Sequence, residues 1–366
     1  MINLRRLREE KNLIIALVVA IAAYAAEHDV LAAGRALTLV VAFGLVATII
    51  LASTRVAHHA EVLAAKVGDP YGTMILTLSA VLVEVVVLAI MMQEATSPTL
   101  VRDTIYAAVM LDINGIIGLA ALLGGLRHGE QPYNDDSSRT YSVMILTAMG
   151  ISMIVPEFVP RESWQLYSTF TILAMIALYT LFLRLQVGQH SYFFSYAYPR
   201  AAQAGQKAKH AETGDEPVLP SILVIIVGVV MIGALAEVMS TTLSAGLDGT
   251  GAPVALMAVI VAAISAAPEI LTAMRAALAN RMQSVVNIAM GASLSTVILT
   301  VPVMEAIALY TGQPFIMAMS PVQTVMVAIT LIVAAINLND GMTNAIEGMT
   351  HFILFATFVM LTVIGL

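Results

Sequence analysis

Cysteine is absent from this 366-residue chain, so it has no disulfides, no thiolate metal sites and no thiol catalysis. Charge is scarce too. Charged residues make up 11% of the chain, against roughly 25% in a soluble domain. So little charge cannot coat a water-facing surface of this size, and lipid must cover much of the rest. The net charge of −7 is modest and no basic tract is present, which argues against a nucleic-acid partner. The zinc motif His-Glu-x-x-His is missing. Asp112 is the only aspartate deep in an apolar run, so an intramembrane aspartyl protease would lack its second acid. Ser293, in Gly291-Ala292-Ser293-Leu294, has no evident base partner.

Apolar residues fill the chain instead: 59% of it is hydrophobic, and its 22 methionines suit a packed apolar interior. Stretches of about 20 residues each span the hydrocarbon core as a helix. Eleven are expected, near 12–26, 30–52, 72–93, 100–126, 140–160, 164–186, 219–245, 252–279, 283–311, 318–338 and 344–366. Open strand edges cannot be satisfied in lipid, and the runs lack the alternation of barrel strands. The expected fold is therefore an all-α integral membrane protein whose partners are the lipid bilayer and inorganic cations. The basic N-terminus leads into the first run without a small-residue cleavage pattern, so a first transmembrane helix is expected rather than a cleaved signal.

Two connections are long. Residues 53–71 suggest an amphipathic link ending in Gly68-Asp69-Pro70-Tyr71-Gly72, in which His58 and His59 are expected to be solvated. Residues 187–218 form a polar mid-chain linker with Lys207, Lys209, His210, Glu212, Asp215 and Glu216. The chain thus divides into 1–29 with the first helix, five helices in 30–186, the linker at 187–218, and five helices in 219–366. Five is odd, so matching helices of the two halves cross the membrane in opposite directions. Two inverted five-helix repeats after one extra helix are expected, the plan of many secondary transporters.

Ionisable groups inside the apolar runs are functional candidates. Glu84 lies near the middle of the third run and Glu269 in the central part of the eighth, each the second run of its half. A carboxylate at the bilayer centre costs about 2.5–3.5 kcal/mol on insertion scales. Pro268 cannot bond the carbonyl of Ile264, which leaves backbone oxygen beside Glu269. Oxygen ligands suit hard cations such as Ca2+. Ser265 stands one turn before Glu269, and Thr77 two turns before Glu84. The next run of each half carries Asp112 and Asn114, and Asn287 and Ser293; small-residue packing explains these positions as well as cation coordination does. His351 in the last run fits a relay or a satisfied core histidine. Glu237, Glu305 and Glu347 are less central and fit a proton path or a wet vestibule.

These segments resemble one family. Gly68-Asp69-Pro70-Tyr71-Gly72-Thr73, followed by Glu84-Val85, is similar to the first conserved region of bacterial calcium/proton antiporters of the ChaA type, in the cation/calcium exchanger superfamily. Ala267-Pro268-Glu269, with Arg275-Ala276-Ala277-Leu278 and Asn287, resembles the second region. Gly341-Met342-Thr343-Asn344, with Gly348 and His351, resembles a third. Met342 stands where the family pattern has arginine, Asp112 where it has an apolar residue, and the linker lacks a dense acidic run. The resemblance implies Glu84 and Glu269 as the paired cation- and proton-binding carboxylates, with Ca2+ and H+ as substrates, no cofactor, and a bacterial inner membrane location. Sodium or potassium in place of calcium is the alternative. A passive channel and an intramembrane enzyme are the other classes; the first would pass flux without a counter-gradient.

With the N-terminus inside, fourteen of the 17 lysines and arginines fall on the cytoplasmic side, and Arg35, Arg102 and Arg161 outside, as the positive-inside rule requires. The C-terminus is then outside. A C-terminal fusion to a reporter that matures only outside the cytoplasm should be active; activity of a cytoplasm-only reporter there would give the wrong parity.

Overall fold

The computed structural model describes residues 10–67, 71–94, 97–188, 190–196, 218–253, 255–312 and 315–366. Arg5, Arg6, Arg8, Gly68-Asp69-Pro70 and the linker charges Lys207, Lys209, His210, Glu212, Asp215 and Glu216 lie outside the described residues. The rest is nearly all helix: α1 (Lys11–Ala32), α2 (Arg35–Val67), α3 (Tyr71–Glu94), α4 (Leu100–His128), α5 (Asp135–Phe158), α6 (Trp164–Val187), α7 (Val218–Leu247), α8 (Ala255–Leu278), α9 (Met282–Thr311), α10 (Pro321–Asn337) and α11 (Ala345–Val363). Among the described residues, nine helices are long and apolar enough to cross a membrane. Shorter apolar stretches run over Thr77–Gln93 in α3 and Pro321–Asn337.

One expected link is not a link. Helix α2 continues without a break for 33 residues, about 50 Å at 1.5 Å per residue. Residues 53–67 contain no glycine or proline, so nothing stops the helix before Gly68, and it outruns a hydrocarbon core of about 30 Å. His59 is accordingly buried rather than solvated. Its Nδ1 lies 3.1 Å from Ser221 Oγ, and its Nε2 2.9 Å from Glu10 Oε1. Arg55 donates to the same carboxylate. Burial alone would raise the pKa of Glu10, but the hydrogen bonds and charges of Arg55 and His59 outweigh it and hold the carboxyl below its usual range. This cluster ties the start of α1 to α2 and α7.

Packing divides the chain into two compact units. The first takes residues 1–97 and 213–268, the second 98–212 and 269–366. In the first unit, α7 lies along α2. Gly228 meets Val56 and Leu13, Gly233 meets Val86 and Ile90 of α3, and Gly246 meets Leu39. Small residues let transmembrane helices approach this closely. Residue number rises along α7 as it falls along α2, so the two helices are antiparallel.

In the second unit, three helices depart from α geometry midway. α4 has a π segment at Leu111–Ile116, α5 at Gly150–Ile154 and α9 at Thr296–Thr300. α4 and α9 run antiparallel: Asp112 meets Ser293, while Gln131, just beyond α4, bonds the carbonyl of Ala277 and Asn280 Oδ1, just before α9. α5 and α10 are antiparallel too, with Ser138 bonded to the Leu338 carbonyl and Met319 N–H to that of Met153. A two-residue antiparallel ladder, β1 (Gln131–Pro132) with β2 (Met342–Thr343), joins the loops after α4 and α10. A Ser320 capping box with Gln323 starts α10, and Asn344 caps α11.

Helices α4 and α11 cross backbone to backbone at close range. A Cβ at Gly118 would stand 2.7 Å from Phe352 N; at Gly125 it would meet Ala345 N, and at Gly348 Leu122 N. Backbone cannot yield as a side-chain tip can. Gly348→Ala and Gly125→Ala should each destabilise the folded protein by about 1–3 kcal/mol in detergent thermal unfolding. Gly44→Ala, where nothing lies within 4 Å, should be neutral or stabilising by up to about 1 kcal/mol. Equal effects at all three positions would contradict the close crossing.

Candidate functional site

Helix α3 is apolar except for a few positions, and Glu84 is one of them. Its side chain is 5% exposed, so the carboxyl points into protein and away from lipid. Thr77, half-buried, lies seven residues earlier on the same helical face. In α8, Ser265 and Glu269 stand one turn apart, both half-buried. Pro268 lies inside that helix, so the Ile264 carbonyl lacks its usual amide partner at this turn. Glu84 belongs to the first unit, and the division between units falls between Pro268 and Glu269.

The other candidates belong to the second unit. Asp112 and Asn114 sit within the π segment of α4, 2% and 0% exposed. A π turn replaces i→i+4 bonding locally and often marks a functional position. Ser293 of α9, fully buried, donates to Asp112 Oδ2 at 3.1 Å. The amide of Asn114 donates to Thr330 Oγ1 of α10 at 2.7 Å, and Thr330 donates onward to Met110 Sδ at 3.6 Å. With its nitrogen so engaged, Asn114 Oδ1 is the acceptor toward His351 Nδ1 at 3.0 Å. His351 Nδ1 therefore carries the proton. Its Nε2 is left as a bare acceptor, buried and without a hydrogen-bond partner.

Thus the structure brings together Asp112 with Ser293, and Asn114 with His351. Asn287 is engaged elsewhere: it accepts from Gln283 at 2.9 Å and donates to the Phe194 carbonyl at 2.8 Å, fastening the start of the mid-chain connection to α9. Glu237 accepts from the Tyr24 hydroxyl at 2.6 Å. Thr330 and Met110 were not singled out in the sequence, because an ordinary threonine and methionine in apolar helices carry no spacing signal. Among the described residues, no three acidic, histidine or cysteine side chains cluster as a metal cage.

Asn114→Ala should leave the His351 N–H and Thr330 without their partner, destabilising the protein by about 1–3 kcal/mol. Combined with His351→Ala, the double variant should lose less than the sum, with coupling above about 0.5 kcal/mol in thermal unfolding. Strict additivity would break the assigned network.

Comparisons agree with this architecture. The pattern of the family described as sodium/calcium exchanger protein matches residues 37–188 and 220–364, one stretch on each side of the linker. A putative ionic transporter, y4hA, of Sinorhizobium fredii is 31% identical over 84% of this chain and 84% of its own length. The sodium-potassium/proton antiporter ChaA of Escherichia coli is 30% identical over 89% and 90%. A Ca2+/H+ antiporter of Aphanothece halophytica is 24% identical over 64% and 66%. In fold, the chain matches the solved structure of native YfkE with a TM-score of 0.72 at 18% identity, covering 92% of this chain and 99% of the other. An H+/Ca2+ exchanger, CAX, matches with a TM-score of 0.61 at 14% identity, covering 96% and 88%.

Proposed function

Because the chain belongs to the sodium/calcium exchanger protein family, a family of transporters, we propose that it exchanges Ca2+ for H+ across a bacterial inner membrane by alternating access, with Glu84 and Glu269 binding cation or protons in turn. The observation that carries the proposal is a carboxylate in the middle of the second helix of each half, one of them 95% buried in a helix whose only other charged residue, Glu94, stands at its end. Two carboxylates carry −2 when empty. One Ca2+ or two protons neutralise the pair. A neutral loaded state crosses a low-dielectric centre at far lower energy than the doubly charged empty one, which makes exchange obligatory.

Several features support two inverted five-helix repeats within an eleven-helix chain. The family pattern matches on both sides of the linker. The first helices of the two halves, α2 and α7, are antiparallel, as are the third pair, α4 and α9, and the fourth, α5 and α10. Both third helices carry a central π segment. The N-terminus is then inside and the C-terminus outside. Asp112 and Ser293 hold the third helices in register, Asn114 and His351 tie α4 to α11, and Thr77 and Ser265 add neutral oxygens; Asn287 is a more distant accessory, occupied with Gln283 and Phe194. The sodium-potassium/proton antiporter relative at 30% identity favours a second reading, Na+ or K+ exchange for H+ at the same carboxylates, with one retained proton balancing the charge.

Glu84→Gln or Glu269→Gln should abolish coupled exchange, by at least about a hundredfold, while leaving insertion intact. Glutamine keeps size and hydrogen bonding but cannot exchange a proton, and it leaves bound Ca2+ with an excess positive charge. Glu237→Gln should retain exchange. Sealed vesicles at matched protein level, with a pH dye and separate Ca2+, Na+, K+ and Mg2+ additions, read all three variants. Near-normal exchange by either central variant would remove that glutamate from the mechanism.

A further inference from the structure

Glu305 is a second kind of buried acid, and the paired carboxylates do not account for it. It lies on α9 just beyond the π segment Thr296–Thr300. A π turn inserts a residue, and each residue turns a helix by about 100°, so the segment resets which face follows. Val303 and Tyr310 point outward, 40% and 93% exposed, while Glu305 points into protein at 2%. The residue sits about 13 Å from the midpoint of α9, near the edge of a hydrocarbon core of about 30 Å.

Its surroundings hold little that stabilises a charge. The Ser168 hydroxyl of α6 supplies its side-chain hydrogen bond, and Oε2 is buried with no partner. No ion pair reaches it among the described residues. Tyr167, next to Ser168, shares the surroundings, but its hydroxyl is committed to the Ile151 carbonyl at 2.7 Å, in the π segment of α5. Glu157, Arg161 and Glu162, in the connection before α6, are exposed. A hard cation asks for about six oxygens, and Glu305 has one neighbouring hydroxyl to offer. An ionised carboxylate with one neutral donor and no counter-charge is disfavoured at this depth. The group that fits is a proton on Oε2.

We propose that Glu305 is a further proton-binding residue of the exchanger, protonated in this arrangement and releasing its proton to water at the nearer membrane face when α9 and α6 separate. The step is a simple proton transfer: the Oε2–H bond breaks, water takes the proton, and the carboxylate is left in contact with solvent that stabilises it. Reprotonation from the same water reverses it. The functional consequence rests on the exchange reading above; the protonation itself does not.

The test separates the two. In a Glu84→Gln/Glu269→Gln protein reconstituted in lipid, infrared difference spectra across a pH titration should show a protonated carboxylic-acid band at neutral pH that disappears when Glu305→Gln is added. Ser168→Ala removes the hydroxyl that favours the ionised form, so in that variant the band should persist to higher pH. Absence of the band from the double variant at neutral pH would show Glu305 ionised and overturn the proposal. So would a band indifferent to Glu305→Gln. With both central glutamates present, Glu305→Gln and Ser168→Ala should each displace the pH of half-maximal exchange by about one unit with cation affinity retained. Profiles superimposable on the parent would make Glu305 a buried bystander and overturn its role.

Discussion

Hydrocarbon offers no hydrogen bonds, so the backbone polar groups that cross it must be satisfied inside the protein. Backbone groups are satisfied within helices, which is why the described residues are nearly all helix, nine of the helices long and apolar enough to cross a membrane, and why the only strand pairing among the described residues is a two-residue ladder between loops. Where a helix departs from α geometry, carbonyls are released and side chains re-aimed, and polar groups lie at the departures: Asp112 and Asn114 in one π segment, the Ile151 carbonyl that accepts from the Tyr167 hydroxyl in a second, and Glu305 just past a third. Without a hydrophobic force between helices in lipid, close approach does the packing. The glycines of α7 and the Gly118–Gly125–Gly348 crossing supply that approach.

Carboxylates feel the same constraint most strongly. A single buried acid can be neutralised by a proton, as proposed for Glu305. A pair has two neutral conditions, two protons or one divalent cation, and that equivalence converts a cost of burial into a coupling. In the proposed exchange, the partners of Glu84 and Glu269 need not bind the ion tightly; they need only make the empty state the least stable. On that proposal, neutral oxygens, the carbonyl released by Pro268 and the lack of basic residues in α3 serve that end.

Helix positions were legible in the sequence because apolar length is nearly the only requirement for crossing lipid; boundaries shifted by a few residues, and the largest difference, the continuation of α2 through 53–67, arose because polar residues beyond the hydrocarbon do not stop a helix when glycine and proline are missing. The polarity of residues 53–67 suggested water, but His59 is buried against Ser221 and Glu10, and residues so far apart in sequence announce nothing by spacing. Asn114 and His351 were visible as isolated polar residues in apolar runs, but their mutual bond, and Thr330 beneath it, required knowing which faces meet. The π segments had no signature at all, since helix hydrogen-bond register depends on packing rather than on any one residue type. Glu305 looked peripheral because its distance from the helix centre is readable and its orientation is not.

In the proposed mechanism, cation and protons compete for one pair of carboxylates. Calorimetric Ca2+ titration of the purified protein at a series of pH values, in buffers of different ionisation enthalpy, measures that competition without requiring transport. Binding that releases protons, weakens as pH falls and loses its pH dependence in the Glu84→Gln/Glu269→Gln protein is the predicted result. Ca2+ binding that is independent of pH and releases no protons would contradict the account.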